Sequence, residues 1–382
     1  HVAGDELLKE IARRLSSVLR GCDTVARLGG DEFVVVLSEL TRPEDATIVA
    51  QKLLQALAPP LSLGGREIVP GASLGFALYP QDGDSLQALL MSADKAMYAA
   101  KQAGRGQYRF FDPEMNRAAA NWLEVGAELH HALARDEFEL HYQPKVNLKS
   151  GAITGVEALL RWRSPQHGLV PPNKFIPILE ETGLILEVGE WVIARACRQW
   201  RLWREQGLPP LGIAVNLSPR QFQSPNLAER IRALIDQPDF LPEYLELEIT
   251  ESMVMQHVDQ AIATLEELHG LGVRLAIDDF GTGYSSLAAL KRFPVDCLKV
   301  DRSFVRDIPQ DADDMIITRS VIALAHSMAL SVVAEGVETE AQRAFLFESG
   351  CDEMQGYLFS KPLPAAKLAE LLGSGPRAAL AA

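Results

Sequence analysis

The feature that most constrains the fold is a pattern that recurs from about residue 125 onward. Short apolar segments carry a polar residue at or near their end, and amphipathic segments with helical periodicity lie between several of them. Seven segments follow this pattern: AITGVEALLRW, GIAVNLS, YLELEITES, VRLAIDDFG, CLKVDRSF, SVVAEGVE and EMQGYLFS. Strands that alternate so regularly with helices predict an α/β fold built on a parallel barrel of the (β/α)8 type.

The polar residues of these segments fall where such a barrel places its chemistry, at the carboxyl ends of the strands. One acid at the end of a strand is usually a solvated loop residue, but that reading does not explain a repeat over five strands. Glu157 differs from the others because it lies inside its strand. The polar set is Glu157, Asn216, Glu248, Asp278, Asp279, Lys299, Asp301, Glu335 and Gln355.

Five of these side chains offer oxygen ligands without histidine or cysteine, which favours a hard cation such as Mg²⁺, Mn²⁺ or Ca²⁺. One Mg²⁺ rarely takes so many protein ligands, whereas two ions that share Asp278 would use them all. A pair of cations about 3.5–4 Å apart is a known device for cleaving phosphodiesters. Gly281 and Gly283 would let the following loop approach the site closely. The five candidate ligands are Glu157, Asn216, Glu248, Asp278 and Asp279.

Residues 1–112 have a different pattern, which predicts a smaller α/β unit. The segment RLGGDEF, residues 27–33, is typical of a β-hairpin whose turn contains two glycines. Residues 113–124 are predicted to form a helical connector, with a proline near its start where a helix tolerates one. The barrel is predicted over 125–375 and a tail over 376–382.

Composition excludes several classes of function. The formal net charge of −14 argues against a general nucleic-acid-binding surface. Four cysteines without short pairing indicate a reducing compartment, and therefore a cytoplasmic location. The longest apolar stretch, SVIALAHSMALSVVAEG, is too short and too polar to span a bilayer. The chain begins inside a helical pattern without methionine, which indicates a fragment of a longer protein that could carry a sensor or a membrane tether.

The second region resembles the EAL domain family, and the resemblance covers about 250 residues. It rests on ordered motifs: EALLRW (157–162), NLS (216–218), ELEITES (246–252), DDFGTGYSSL (278–287), LKVD (298–301), AEGVE (334–338) and QGY (355–357). Members of this family are phosphodiesterases that open cyclic di-GMP to linear pGpG on a TIM-like barrel. The resemblance implies the same activity here, with two Mg²⁺ or Mn²⁺ ions and a homodimer formed through the barrel.

The resemblance also implies individual roles. Glu157, Asn216, Glu248 and Asp278 match ligands of the first metal, and Asp278 with Asp279 matches the site of the second. Lys299 matches a catalytic lysine that acts on the attacking water, and Glu335 a further acid near that water. Glu251 resembles a residue that braces the DDFGTGYSS loop. The matched substrate contacts are Gln143 in HYQPK, Arg161 and the site glutamine Gln355.

The first region resembles the GGDEF domain of diguanylate cyclases. The resemblance rests on RLGGDEF and on ADKAMYAAKQAGRG (93–106), and it implies GTP as a second ligand. Arg20 and Asp23 lie at the spacing of the family's RxxD inhibitory site for cyclic di-GMP, although an ordinary surface ion pair would give the same spacing. The implied nucleotide and metal contacts are Asp5, Gly29, Gly30, Asp31, Glu32, Lys101 and Arg105.

The first region departs from its family at the front, because the strand and helix that precede His1 in the family are not in this sequence. The expectation is therefore that residues 1–382 do not make cyclic di-GMP. Two alternatives stay open. The barrel could be a receptor that binds cyclic di-GMP without cleaving it, or the full-length protein could be bifunctional, with GTP at the first domain tuning the barrel.

Overall fold

The computed structural model of the 382-residue chain describes residues 2–40, 42, 45–63, 66–68, 70–104, 106–112, 124–281 and 287–373. Within these residues the side chains of 2, 3, 5, 62, 63, 66–68 and 287 are not described. The chain divides into two compact units, His1–Ala127 and Glu128–Ala382. No helix among the described residues combines the length and the apolar character needed to cross a membrane.

The first unit is a small α/β structure, as the sequence predicts. Its core packs Leu15 of the first helix against Leu53 and Leu57 of the second. A second cluster forms around Ala46 and Phe110. The elements are α1 (Val2–Ser17), β1 (Thr24–Gly29), β2 (Glu32–Val36), α2 (Asp45–Leu57), β3 (Leu61–Leu63), β4 (Arg66–Ile68), β5 (Leu74–Phe76), α3 (Leu86–Gln102) and β6 (Tyr108–Phe110).

The predicted hairpin at the GGDEF segment is present, since β1 pairs antiparallel with β2 and Gly29 is opposite Glu32. Gly30 takes the left-handed conformation that its turn position requires. Residues 66–80 contain two short strands, β4 and β5, which belong to different sheets. Pro70 and Gly71 lie between them, and proline cannot donate to a strand ladder.

The second unit confirms the predicted barrel. Its strands are β7 (Phe138–Asn147), β8 (Ile153–Ser164), β9 (Gly168–Val170), β10 (Gly212–Asn216), β11 (Leu245–Thr250), β12 (Arg274–Phe280), β13 (Cys297–Val300), β14 (Ser331–Ala334), β15 (Glu353–Met354) and β16 (Leu363–Pro364). The closed order is β7–β8–β10–β11–β12–β13–β14–β15 and back to β7. Every neighbouring pair from β8 to β15 is parallel.

One strand departs from a regular (β/α)8 barrel. β7 is antiparallel to both of its neighbours, β8 and β15. It leads into β8 through a hairpin rather than a helix, so it lies outside the strand–helix repeat on which the sequence prediction was based. The reversed β7 supplies Gln143 and Lys145 to the inside of the barrel, opposite Glu157 and Gly155 of β8.

Helices form from amphipathic segments around these strands. In the longest one, Val188, Val192 and Ala196 share a buried face at helical spacing. The helices are α4 (124–132), α5 (Pro172–Thr182), α6 (Ile185–Glu205), α7 (Pro219–Phe222), α8 (Leu227–Ile235), α9 (Glu251–Met255), α10 (Val258–His269), α11 (Leu287–Leu290), α12 (Arg302–Arg306), α13 (Ala312–Ser327), α14 (Glu340–Glu348) and α15 (Ala365–Gly373).

Alternation along each strand decides which side chains reach the barrel interior. In β11, Leu245, Leu247 and Ile249 are fully buried on the outer face of the barrel. Glu246 and Glu248 alternate with them and therefore point inward. The same alternation places Asp278 of β12 and Lys299 of β13 on the inner face. The strand order thus brings polar residues that are far apart in the sequence together in one cluster.

Close backbone packing fixes the segment that carries Gln355. A Cβ at Gly356 would lie 2.1 Å from the carbonyl oxygen and 2.3 Å from the nitrogen of Val337. We expect Gly356→Ala to lower the free energy of unfolding by about 1–3 kcal/mol, because backbone atoms must move to admit the methyl group. Denaturant unfolding measures this change. Gly373→Ala is the matched control, since a Cβ there meets no described residue within 4 Å. Equal stability of the two variants would contradict this packing.

Candidate active site

The candidate site is centred on Lys299, whose side chain is completely buried at the carboxyl end of β13. Its Nζ lies 2.6 Å from Glu335 Oε1 and 2.8 Å from Glu248 Oε2. Asp278 Oδ1 is at 3.2 Å and Glu157 Oε2 at 4.0 Å. Burial alone would lower the pKa of Lys299, but the four acids outweigh it and raise that pKa well above its usual value. One ammonium therefore holds together acids from four strands.

Glu248 is fixed by two lysines, one at each oxygen. Lys145 Nζ donates to Glu248 Oε1 at 2.7 Å, and Lys299 Nζ donates to Oε2 at 2.8 Å. Burial acts to raise the pKa of Glu248, but the two ammonium groups lower it to about 2. Glu248 is therefore a charged carboxylate of fixed orientation inside the barrel.

Glu157 belongs to a network of amide side chains. Asn216 Nδ2 donates to Glu157 Oε1 at 2.6 Å, and Gln355 Nε2 donates to Glu157 Oε2. Gln355 Nε2 also lies 3.2 Å from Gln143 Oε1, while Gln143 Nε2 donates to the carbonyl oxygen of Ser360. Burial, followed by the charge of Glu248, raises the pKa of Glu157. Glu157 lies inside β8 rather than at its end because β8 continues to Ser164, whereas its pairing with β10 stops at Ala158. Glu157 is therefore near the end of the part of β8 that belongs to the barrel.

Asp278, Asp279 and Glu335 form a cluster of three acids, two of which contact Lys299. One carboxylate oxygen of each lies within 4.8 Å of the others. Burial, followed by the charge of Asp278, raises the pKa of Asp279 to about 6. Burial also raises the pKa of Glu335 to about 8, against the influence of Lys299. Acids with raised pKa values at close range are ones that a bound cation would stabilise in the charged form.

Glu251 begins α9, directly after β11, and is almost fully buried. Its Oε2 accepts a hydrogen bond from the backbone nitrogen of Gly281 at 2.8 Å. Gly281 has φ of +100°, and a Cβ there would meet the Phe304 ring at 2.9 Å, so only glycine fits. The contact thus anchors the first residue after β12. Gly283 and the rest of 282–286 lie outside the described residues, so the predicted bracing of the whole loop stays a prediction.

The donor set fits hard divalent cations. Four carboxylates, from Glu157, Glu248, Asp278 and Glu335, lie within 4.0 Å of the Lys299 ammonium. Asp279 lies beside Asp278 and Glu335, and Asn216 adds an amide oxygen. Gln355 Oε1 is buried without a hydrogen-bond partner among the described residues, which leaves one more oxygen at the same place. Oxygen donors in this number and charge suit Mg²⁺ or Mn²⁺ rather than a metal that prefers nitrogen or sulfur.

Sequence reasoning missed Lys145, which lies in the HYQPK segment two residues from the predicted contact Gln143. Because side chains alternate along a strand, that spacing alone places Lys145 on the same face. Arg161, predicted as a phosphate contact, lies on the same face of β8 as Glu157. Its Nη1 donates to the Leu160 carbonyl oxygen, and burial lowers its pKa.

In the first unit, the predicted site residues of the GGDEF segment lie at the surface. Gly29, Gly30, Asp31 and Glu32 are all exposed at the β1–β2 turn. The Arg27 guanidinium donates to the Gly30 carbonyl oxygen at 2.8 and 3.0 Å, which holds the turn.

The predicted RxxD pair forms a local turn. Asp23 accepts from the backbone nitrogens of Arg20 at 2.9 Å and Ser38 at 3.1 Å, so its carboxylate already has two donors. Lys101 is exposed on α3. Arg105 and the side chain of Asp5 lie outside the described residues, as do 113–123 of the predicted connector.

Comparison with known proteins agrees with this geometry. The sequence-family model of the EAL domain matches residues 127–362, and that of the diguanylate cyclase GGDEF domain matches residues 1–107. A solved structure, the PaMucR phosphodiesterase in complex with c-di-GMP, is 48% identical with a TM-score of 0.63. It covers 64% of this chain and 99% of its own.

Two full-length relatives extend the match over both units. The bifunctional diguanylate cyclase/cyclic di-GMP phosphodiesterase MucR of Pseudomonas aeruginosa is 47% identical over 96% of this chain and 54% of its own length. The cyclic di-GMP phosphodiesterase PdeR of Escherichia coli is 40% identical over 96% of this chain and 55% of its own. The chain spans about half the length of these curated relatives.

The barrel and its acidic mouth therefore define an EAL-type α/β barrel protein. The chain belongs to the EAL domain family and carries a GGDEF-type domain before the barrel, so the family resemblance of the sequence is confirmed.

Proposed function

We propose that the barrel hydrolyses cyclic di-GMP to linear pGpG, with two divalent cations. The observation that carries the proposal is the cluster of four carboxylates around the buried Lys299, with Asp279 beside two of them. Relatives named as cyclic di-GMP phosphodiesterases support the substrate, as does the PaMucR complex with c-di-GMP.

The ligands proposed for the cations are Glu157, Asn216, Glu248, Asp278 and Asp279, with Asp278 between the two positions. Bound Mg²⁺ or Mn²⁺ would polarise the scissile phosphate and lower the pKa of the attacking water. The protein's own contribution is to orient the carboxylates before substrate arrives. Lys145 and Lys299 orient Glu248 and keep it charged, and Asn216 and Gln355 orient Glu157.

Lys299 is the group proposed to act on the attacking water. Its raised pKa keeps it an ammonium, which can donate a hydrogen bond to a water or a phosphate oxygen at the mouth. Glu335, 2.6 Å from Lys299 Nζ, is the acid proposed to accept a proton from that water. Gln143, Arg161 and Gln355 are the proposed contacts to the nucleotide, because they lie on β7, on β8 and just after β15 around the same mouth.

Glu251 is proposed to set the position of the loop after β12. We expect Glu251→Ala to lower kcat roughly tenfold to a hundredfold, because losing the acceptor for Gly281 N lets Asp278 and Asp279 shift. Glu251→Gln keeps an oxygen at that position and is expected to retain more activity. Steady-state kinetics with saturating Mn²⁺ measures both. Native kcat in Glu251→Ala would refute the bracing role.

Three further proposals concern the domain bounds, the oligomeric state and a second ligand. The domain bounds 1–112, 113–124 and 125–375, the homodimer through the barrel, and GTP at the GGDEF turn are proposals that await measurement. An effect of GTP on hydrolysis would test the last of these, in a protein that carries a complete GGDEF domain.

The alternative function is a receptor that binds cyclic di-GMP without cleaving it. The intact set of acids around Lys299 favours the enzyme, since a receptor has no use for so costly a buried cluster. Incubation of residues 1–382 with cyclic di-GMP and Mg²⁺, followed by chromatography, separates the two. Accumulation of pGpG is expected, whereas saturable binding with the nucleotide recovered intact would favour the receptor.

A further inference from the structure

Lys145 is a lysine placed inside the barrel, where its side chain is only 5% exposed. A buried ammonium is tolerated only when it is paired. The barrel provides room for it, because the residue opposite Lys145 on β8 is Gly155, which is in turn opposite Gly212 on β10. A Cβ at Gly155 would lie 3.1 Å from the Gly212 carbonyl oxygen. Lys145 is therefore built into this layer.

Two acids of one strand share the Lys145 ammonium. Its Nζ lies 2.6 Å from Glu246 Oε1 and 2.7 Å from Glu248 Oε1. Glu246 Oε2 in turn lies 4.0 Å from Nε of the half-exposed Arg274. A line of alternating charges thus runs from Arg274 at the start of β12 through Glu246 and Lys145 to Glu248.

The contact with Lys145 restricts Glu248, which is a proposed metal ligand. Lys145 donates to Oε1 and Lys299 donates to Oε2, so each oxygen already has one lysine. A cation at the mouth, on the Lys299 side, lies nearer to Oε2, and binding through both oxygens would also require Oε1 to leave Lys145. A carboxylate limited to one oxygen suits Mg²⁺, which requires near-ideal octahedral geometry, better than Ca²⁺, which takes six to eight oxygens and often binds both oxygens of a carboxylate.

We propose that Lys145 is a positioning residue that selects small divalent cations, by occupying Glu248 Oε1 and preventing the carboxylate from binding a cation through both oxygens. This inference rests on the proposed function, since it assumes that the barrel mouth binds divalent cations. It differs from a structural role, because a lysine that only filled space would leave the preference among cations unchanged.

The test compares Ca²⁺ with Mg²⁺ in the absence of nucleotide, by isothermal titration calorimetry on residues 1–382. Lys145→Met alone leaves the mostly buried Glu246 with only the distant Arg274 as a partner. The variant of choice is therefore Lys145→Met with Glu246→Gln, which removes both charges of the pair. Glu246→Gln alone is the matched control, because Lys145 still holds Glu248. Asp278→Asn identifies the heat that comes from the barrel mouth.

The ratio of the Ca²⁺ and Mg²⁺ affinities isolates the effect. Loss of a nearby positive charge changes the attraction for both divalent ions alike, whereas release of Oε1 favours Ca²⁺ alone. We expect the double variant to shift the ratio toward Ca²⁺ roughly tenfold, and Glu246→Gln alone to keep the native ratio. A shift of the same size in Glu246→Gln would also overturn the assignment to Lys145.

The titrations distinguish a wrong role for Lys145 from the absence of a metal site at the barrel mouth. If the native protein binds both cations in a way that Asp278→Asn abolishes, but the double variant keeps the native ratio, then Lys145 does not set the preference. If neither cation binds at the barrel mouth of the native protein, the metal site fails, and the inference fails with it.

Discussion

Lys299→Met is expected to lower the free energy of unfolding of the metal-free protein by about 3–5 kcal/mol, because it leaves buried carboxylates without their shared ammonium. Turnover of cyclic di-GMP is expected to fall about 10²- to 10³-fold, the range for loss of a preorganised hydrogen-bond donor. Binding of Mn²⁺ is expected to persist, since the variant removes a positive charge and none of the proposed ligands.

Three measurements separate these effects: denaturant unfolding in EDTA, calorimetric titration with Mn²⁺, and single-turnover rates at saturating Mn²⁺. Lys174→Met is the matched control, because Lys174 is exposed on α5. Added Mn²⁺ is expected to restore part of the lost stability, because the ion binds only the folded state. If Lys299→Met weakens Mn²⁺ binding but keeps the native single-turnover rate at saturating Mn²⁺, then Lys299 has a structural role and its catalytic assignment is wrong.

Glu157→Gln is expected to give the opposite combination, a large loss of rate with little loss of stability. Glu157 is one of several like charges, and its pKa is raised by burial and by Glu248. Replacing it with a neutral side chain of the same shape relieves that repulsion, although one of its two amide contacts becomes mismatched. We expect a stability change within about 1 kcal/mol and at least a 10³-fold loss of kcat, of the size seen when a preorganised charge is removed.

Unfolding in EDTA and steady-state rates at several Mn²⁺ concentrations test this expectation. Glu187→Gln on the exposed side of α6 is the control for the same chemical change. Rates that recover fully at high Mn²⁺ would show that Glu157 contributes to affinity only. Native rates at all concentrations would remove Glu157 from the site altogether.

The sequence predicted the barrel and much of its mouth for one physical reason. Parallel strands bring their carboxyl ends to the same edge, so Asn216, Glu248 and Asp278 could be placed together without coordinates. The structure indeed joins them to Lys299 and Glu335. Family motifs extended the expectation to Gln143 and Gln355, which the structure places 3.2 Å apart.

What the sequence did not predict depends on contacts that no local pattern encodes. The reversed β7 breaks the strand–helix repeat, so its direction and the role of Lys145 follow only from its pairing with β8 and β15. The sharing of Glu248 between two lysines depends on how far two long side chains reach across the barrel. Strand alternation could have placed Lys145 inside, but not named its partners.

The initial rate of pGpG formation tests most directly whether the barrel hydrolyses cyclic di-GMP with two cations. Protein stripped with EDTA is given cyclic di-GMP and increasing Mn²⁺, and the product is read by chromatography. We predict no product in EDTA and, at low Mn²⁺, a rate that rises more steeply than in proportion to its concentration. Product formed in EDTA, or no product at any Mn²⁺ or Mg²⁺ concentration, would contradict the account.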